Sequence, residues 1–350
     1  MTTKRRYDSL DFLKGLACIA VVLIHFNFPG DLGIAVKTYC RFAVPIFFFV
    51  SGFFVLTNGQ VEDGSINRKL RRTFWLTMGS ACFYAVFTVV WRRLLNPSWD
   101  MLLFMVNELD AGSIVKFIIT NDPFVYSHLW FLLALFYCYL TMMLVFHKQK
   151  RLKWIAILAP VLLVGYSCLQ EFGGVWGIHR SLQIVGTTKR VYLFNLYIFR
   201  ALPMFFFGIL ARQHVGALEK MPVPGWLLLV MAALGGGLSI FERFSLGEET
   251  QYYIGSIITA ACLVLWAVKT PGGGFGPLTY IGRELSMYVY ILHIAVGNVV
   301  DAMGGKLNLR GTPVMSYGKG LMVLVGSLCA AFVIVQAQKK LKRASRKKAA

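Results

Sequence analysis

His25 ends an apolar run, and its imidazole is the side chain best suited to move a proton near neutral pH. His293 is a further intramembrane imidazole read, with Ser51, His128, Trp130, Arg200 and Tyr290, as a substrate-binding candidate. His25 follows the stretch Leu10, Asp11, Phe12, Leu13, Lys14, Gly15, Leu16, Ala17 and a further apolar run. A positioned imidazole can take the proton from a hydroxyl as that hydroxyl attacks a thioester, a role the aliphatic neighbours cannot fill. The bland alternative is a histidine that only hydrogen-bonds a neighbouring helix. Lys14 stands eleven residues before His25, which on a helix sets the two on one face roughly 16 Å apart. It is read as a cation at the inner edge, and it can equally pair with Asp11 at i, i+3 or extend to the headgroups.

Further groups join these. The run Arg41, Phe42, Ala43, Val44, Pro45 through Ser51, Gly52 and Phe53 places a proline and a Ser-Gly step in an aromatic segment, where a kink frees backbone groups for a ligand. Ser51 or a backbone donor beside Gly52 is a candidate for steadying an oxyanion. Arg68, Lys69, Arg71 and Arg72 form a basic cluster suited to the phosphates of a nucleotide-bearing donor, or simply to a cytoplasmic membrane face. His128 and Trp130 sit at the outer start of a span, Trp130 as an interfacial anchor by default. Arg200 precedes Pro203 beside an expected kink, and Tyr290 stands one turn before His293. No H-x-x-H or matching carboxylate spacing supports a metal.

The elements that position these residues have to lie in a membrane. Of 350 residues 57% are hydrophobic and 15% charged, with a mean hydropathy of +0.62, too apolar for one water-soluble core of this length. The expected fold is all-α, a polytopic integral membrane bundle of about ten transmembrane helices. The expected spans are Leu10 to Phe28, Tyr39 to Leu56, Phe74 to Leu95, His128 to Phe146, Trp154 to Leu169, Leu193 to Ala211, Trp226 to Phe241, Tyr252 to Val268, Leu285 to Val300 and Lys319 to Gln336. The segment Asn96 to Ser127, broken by Asp100, Glu108, Asp110 and Asp122, reads as an outer interfacial or re-entrant helix. The run from Pro271 through Gly272, Gly273, Gly274, Phe275 and Gly276 to Pro277 reads as a flexible inner loop.

The net charge of +20 collects at span ends and in the tail, so it follows the positive-inside rule and does not call for nucleic acid. The expected topology has both termini cytoplasmic in a bacterial inner membrane, with no cleavable signal peptide and residues 339–350 as a basic tail behind a membrane domain over 1–338. Seven scattered cysteines without a C-x-x-C pair read as small buried hydrophobes. No internal repeat is visible, so a transporter of duplicated halves has no support.

On these residues the chain resembles the acyltransferase-3 family of membrane enzymes that O-acylate surface polysaccharides, peptidoglycan, lipids and small molecules. The carriers are Leu10-Asp11 through His25, Pro45 to Phe53, Arg68 to Arg72, His128 to Leu132, Pro203 through Gly208 and Ser286 through His293, in family order along nearly the whole chain. The resemblance implies His25 as the catalytic base, with Lys14 where the family has an arginine, a change that keeps the charge and loses the bidentate fork. It implies donor binding at Arg71 and Arg72 most directly, although Thr73, Phe74 and Trp75 stand where a proline often follows. The implied donor is acetyl-CoA or another acyl-CoA, and the acceptor a glycan or lipid-linked hydroxyl approaching near His128. Family members often append an esterase-like domain, which this chain is expected to lack. A polysaccharide or lipid exporter is the competing class, and a structural membrane subunit a third.

Overall fold

The computed structural model describes residues 6–57, 59–108, 111–120, 126–172, 181–184, 190–247 and 250–349. In chain order the helices are α1 (Asp8–His25), α2 (Gly30–Tyr39), α3 (Ala43–Phe53), α4 (Asp63–Leu95), α5 (Met101–Glu108), α6 (Ala111–Thr120), α7 (Trp130–Leu144) and α8 (Ile155–Ser167). They continue as α9 (Tyr197–Arg200), α10 (Leu202–Gln213), α11 (Val215–Glu219), α12 (Gly225–Leu246), α13 (Ile254–Lys269), α14 (Gly276–Tyr280), α15 (Ser286–Lys306) and α16 (Pro313–Ala349). A short antiparallel pair, β1 (Ser181–Gln183) and β2 (Arg190–Tyr192), interrupts them.

Every expected span is helical, and among the described residues seven continuous helical stretches are long and apolar enough to cross a membrane: Gly30–Phe53, Gly64–Leu95, Ser127–Leu144, Gln149–Gln170, Gly225–Leu246, Gly276–Lys306 and Pro313–Ser345. The remaining three candidates are less simple. α1 carries Asp8, Asp11 and Lys14 in its first two turns, α13 has 16 residues, and the stretch around Arg200 is split into α9 and α10. Such helices satisfy their backbone internally, the condition for crossing hydrocarbon. In α4 the hydroxyls follow the same rule: Thr77 donates to the Thr73 carbonyl at 2.8 Å, Ser80 to Leu76 at 2.7 Å and Thr88 to Tyr84 at 2.7 Å.

Several expectations need correction. The glycine-rich loop is shorter than read, because Gly276 and Pro277 open α14, and proline is tolerated in a first turn where its missing N–H has no partner to lose. Residues 339–349 prolong α16, so the last helix outruns its span. Between Asn96 and Ser127 the described residues form the helices α5 and α6, while Asp110 and Asp122 lie outside the described residues. Cysteines 18, 40, 138 and 262 are buried as expected, whereas Cys82 and Cys329 are exposed.

The chain divides into two units, Met1–Phe47 with Val215–Ala350, and Phe48–His214. In the first, α1 packs against α13, α14, α15, α16 and the turn at Cys40–Phe42. Its core gathers Cys18 and Val22 of α1, Leu285 and Val289 before and within α15, and Val323, Ala331 and Val335 of α16. In the second unit α4 packs on α7, and α8 on α10. There Gly52 and Gly208 lie where α3 crosses α10: a β-carbon at Gly52 would overlap the Phe205 carbonyl, and one at Gly208 the Phe49 carbonyl. Glycine lets the two backbones touch, as small residues do in membrane helix pairs.

Candidate functional site

Within the first unit, α1 ends at His25, and this exposed residue meets the fully buried His293 of α15 with ring centroids 5.0 Å apart and planes inclined at 50°. Phe26 stands edge-on to His293 at 6.3 Å, and Tyr290 lies 6.2 Å away. His293 Nδ1 is 2.7 Å from the Tyr290 carbonyl and 3.2 Å from the Val289 carbonyl. Two residues 268 positions apart in the chain thus form one pair.

Arg41 joins this neighbourhood. It is buried, sits in the tight Cys40–Phe42 turn against which α1 packs, and its guanidinium donates to Gln251 Oε1 at 3.3 Å. Arg41 and Lys37 are both within electrostatic reach of His25. Sequence reasoning quoted Arg41 only as the start of an aromatic run. The overlooked signal was a guanidinium four residues before Pro45, whose missing N–H removes the helical bond to the Arg41 carbonyl and favours the local change of helix type.

Lys14 is elsewhere. Its ammonium pairs with Asp11 at 2.7 Å, both side chains largely buried, about three turns below His25. The i, i+3 alternative is the arrangement observed.

The second unit holds the other candidates. Arg68, Arg71 and Arg72 are exposed and fall at i, i+3 and i+4 on one face of α4, while the Lys69 ammonium turns away to donate to the Phe54 carbonyl. Beside them a cavity of about 280 Å³ is lined by Ile66, Asn67, Met143 and His147. Three guanidinium groups on one face suit a multiply charged phosphate ligand. Ser51 is hydrogen-bonded to the Tyr139 side chain. Arg200, buried at the end of α9, lies over Trp130 with 3.4 Å from guanidinium carbon to ring centroid, so Trp130 is packed by a cation in addition to any interfacial role. His128 is buried edge-on to Tyr84 at 4.9 Å. Among the described residues no group of three or more His, Cys, Asp and Glu is placed to hold a metal.

The family comparison decides what this set of residues belongs to: the model of an acyltransferase domain matches residues 7–336. The chain belongs to the acyltransferase-3 family. Its multi-pass helical architecture is that of a membrane family, and the match covers α1 through most of α16. A curated relative, the serine/alanine racemase of Enterococcus gallinarum, is 28% identical over 340 residues, covering 91% of this chain and 45% of that protein. The chain therefore spans about half the length of that relative. No solved structure matches.

Proposed function

We propose that this acyltransferase-3 member transfers an acyl group, acetyl in the simplest case, from acyl-CoA on the cytoplasmic side to a hydroxyl of an envelope polysaccharide, glycolipid or related acceptor. The observation that carries the proposal is the imidazole of His25, held at the end of α1 beside a second imidazole and a buried guanidinium, in a chain matched along residues 7–336 by an acyltransferase domain. His25 takes the proton of the acceptor hydroxyl while its oxygen attacks the thioester carbon. The C–O bond forms, the C–S bond breaks, and the proton passes to the departing thiolate to give the free thiol. Arg68, Arg71 and Arg72 bind the donor phosphates as multidentate cations. Lys14 serves this reading only as a fixed cation at the inner end of α1.

Further parts of the same proposal follow from charge. The basic end of α16 and the basic start of α4 lie on the cytoplasmic side of a bacterial inner membrane, with both termini inside. The partners are then membrane lipids, acyl-CoA and a glycan or lipid-linked acceptor, with no nucleic acid.

The test is purified protein in lipid nanodiscs given acetyl-CoA labelled in the acetyl group. Slow hydrolysis or transfer of label by the wild type, lost in His25→Ala with membrane insertion unchanged, is the expected result. Undiminished transfer by His25→Ala refutes the base assignment. Glycan movement without any consumption of the thioester would instead establish an exporter.

A further inference from the structure

The two imidazoles are brought together by a specific construction within the first unit. α1 and the helix that becomes α15 touch at Gly15 and Gly282: a β-carbon at Gly15 would overlap the Leu278 carbonyl, and one at Gly282 the Asp11 carbonyl. From that contact His25 lies ten residues on and His293 eleven, about 15 Å along each helix. The unequal count is absorbed by a wide π-type turn over Ile281–Leu285, which takes up one extra residue. Such turns are frequent at functional sites, and this one puts the His293 ring level with that of His25.

The hydrogen bonding of His293 then fixes its chemistry. The Tyr290 carbonyl, 2.7 Å from Nδ1, only accepts, so Nδ1 carries the proton and Nε2 keeps its lone pair. A base whose ring is oriented by a third group is the recurring pattern of acid–base sites.

We propose that His293 is the positioning residue of His25. With the two ring centroids 5.0 Å apart, the Nε2 lone pair is the acceptor available to an N–H of His25. That contact fixes which His25 nitrogen is free to meet the acceptor hydroxyl and stabilises the imidazolium formed when His25 takes the proton. The proton leaves on the thiolate, and His293 ends as it began. This role rests on the acyl-transfer reading above. It assigns His293 a role other than the substrate binding expected from the sequence.

The experiment compares wild type, His293→Ala, His293→Gln and His293→Asn in nanodiscs with labelled acetyl-CoA. Asparagine reaches the Nδ1 position and can satisfy the Tyr290 carbonyl, whereas glutamine reaches the Nε2 position and can present an acceptor to His25. The expected result is a kcat lowered about 10- to 100-fold in His293→Ala, in the range of lost orienting contacts, with donor KM unchanged and partial recovery only in the glutamine variant. Recovery by asparagine equal to or greater than that by glutamine would make the role structural and overturn the inference. So would full kcat in His293→Ala. Solid-state NMR of nitrogen-15 histidine gives a readout apart from turnover: His293 is expected protonated at Nδ1, with His25 resonances shifted in His293→Ala. A His293 protonated at Nε2 alone overturns the positioning role while leaving the acyl-transfer reading intact. A wild type that transfers no acyl group overturns both.

Discussion

Gly15 and Gly282 meet backbone to backbone, each lying where a side chain would collide with the helix that carries the other. This contact sets the depth at which α1 and α15 run together, and with it the pairing of the two imidazoles near the other end of α1. Gly15→Ala and Gly282→Ala are each expected to lower stability by about 1–3 kcal/mol, the usual cost of overpacking a close contact. Thermal inactivation of detergent-purified protein measures this. Unchanged midpoints in both variants would show that the helices have room to part.

The arginines of α4 predict a donor effect. Arg71→Ala with Arg72→Ala is expected to raise the acyl-CoA concentration for half-maximal rate about 10- to 100-fold, since one charge-assisted hydrogen bond contributes about 1.5–3 kcal/mol. Lysine at both positions recovers part of the loss, because it keeps the charge and loses the fork. Saturation curves in acyl-CoA are the measurement, and an unchanged half-saturation point removes these arginines from the donor site.

For Lys14 the pairing with Asp11 leads to a double-mutant cycle. Asp11→Asn or Lys14→Gln alone leaves a largely buried charge without its counterion, so each single change is expected to destabilise more than its share of the double change. Additive losses in the midpoint of thermal unfolding would mean that the pair is not coupled.

Ser51 and Tyr139 offer a similar contrast. Ser51→Ala deprives the buried Tyr139 hydroxyl of a hydrogen-bond partner and is expected to cost about 1–3 kcal/mol. Removing the hydroxyl too, in Ser51→Ala with Tyr139→Phe, should restore most of it. If Ser51→Ala instead keeps its stability and lowers kcat, the serine acts on the oxyanion and not on the tyrosine.

Much of this molecule was legible in its residues. Apolar runs of span length dictate helices because hydrocarbon offers no partner for unpaired backbone groups, and so every expected span is helical. Arg68, Arg71 and Arg72 could be placed on one face from the helical period, and Lys14 and Asp11 paired by their spacing. The proline at 277 was misread because composition cannot tell a proline in a loop from one in the first turn of a helix. The pairing of His25 with His293 and the proximity of Arg41 were beyond the sequence, since helix contacts in a membrane are set by shape at small residues and not by a hydrophobic pattern. Sequence determined the helices, the family motifs and the candidate base. Tertiary structure decided what that base stands beside, because the contact of Gly15 with Gly282 and the wide turn at Ile281–Leu285 fix the relative level of two helices 268 positions apart in the chain, as the distance from His25 to His293 shows.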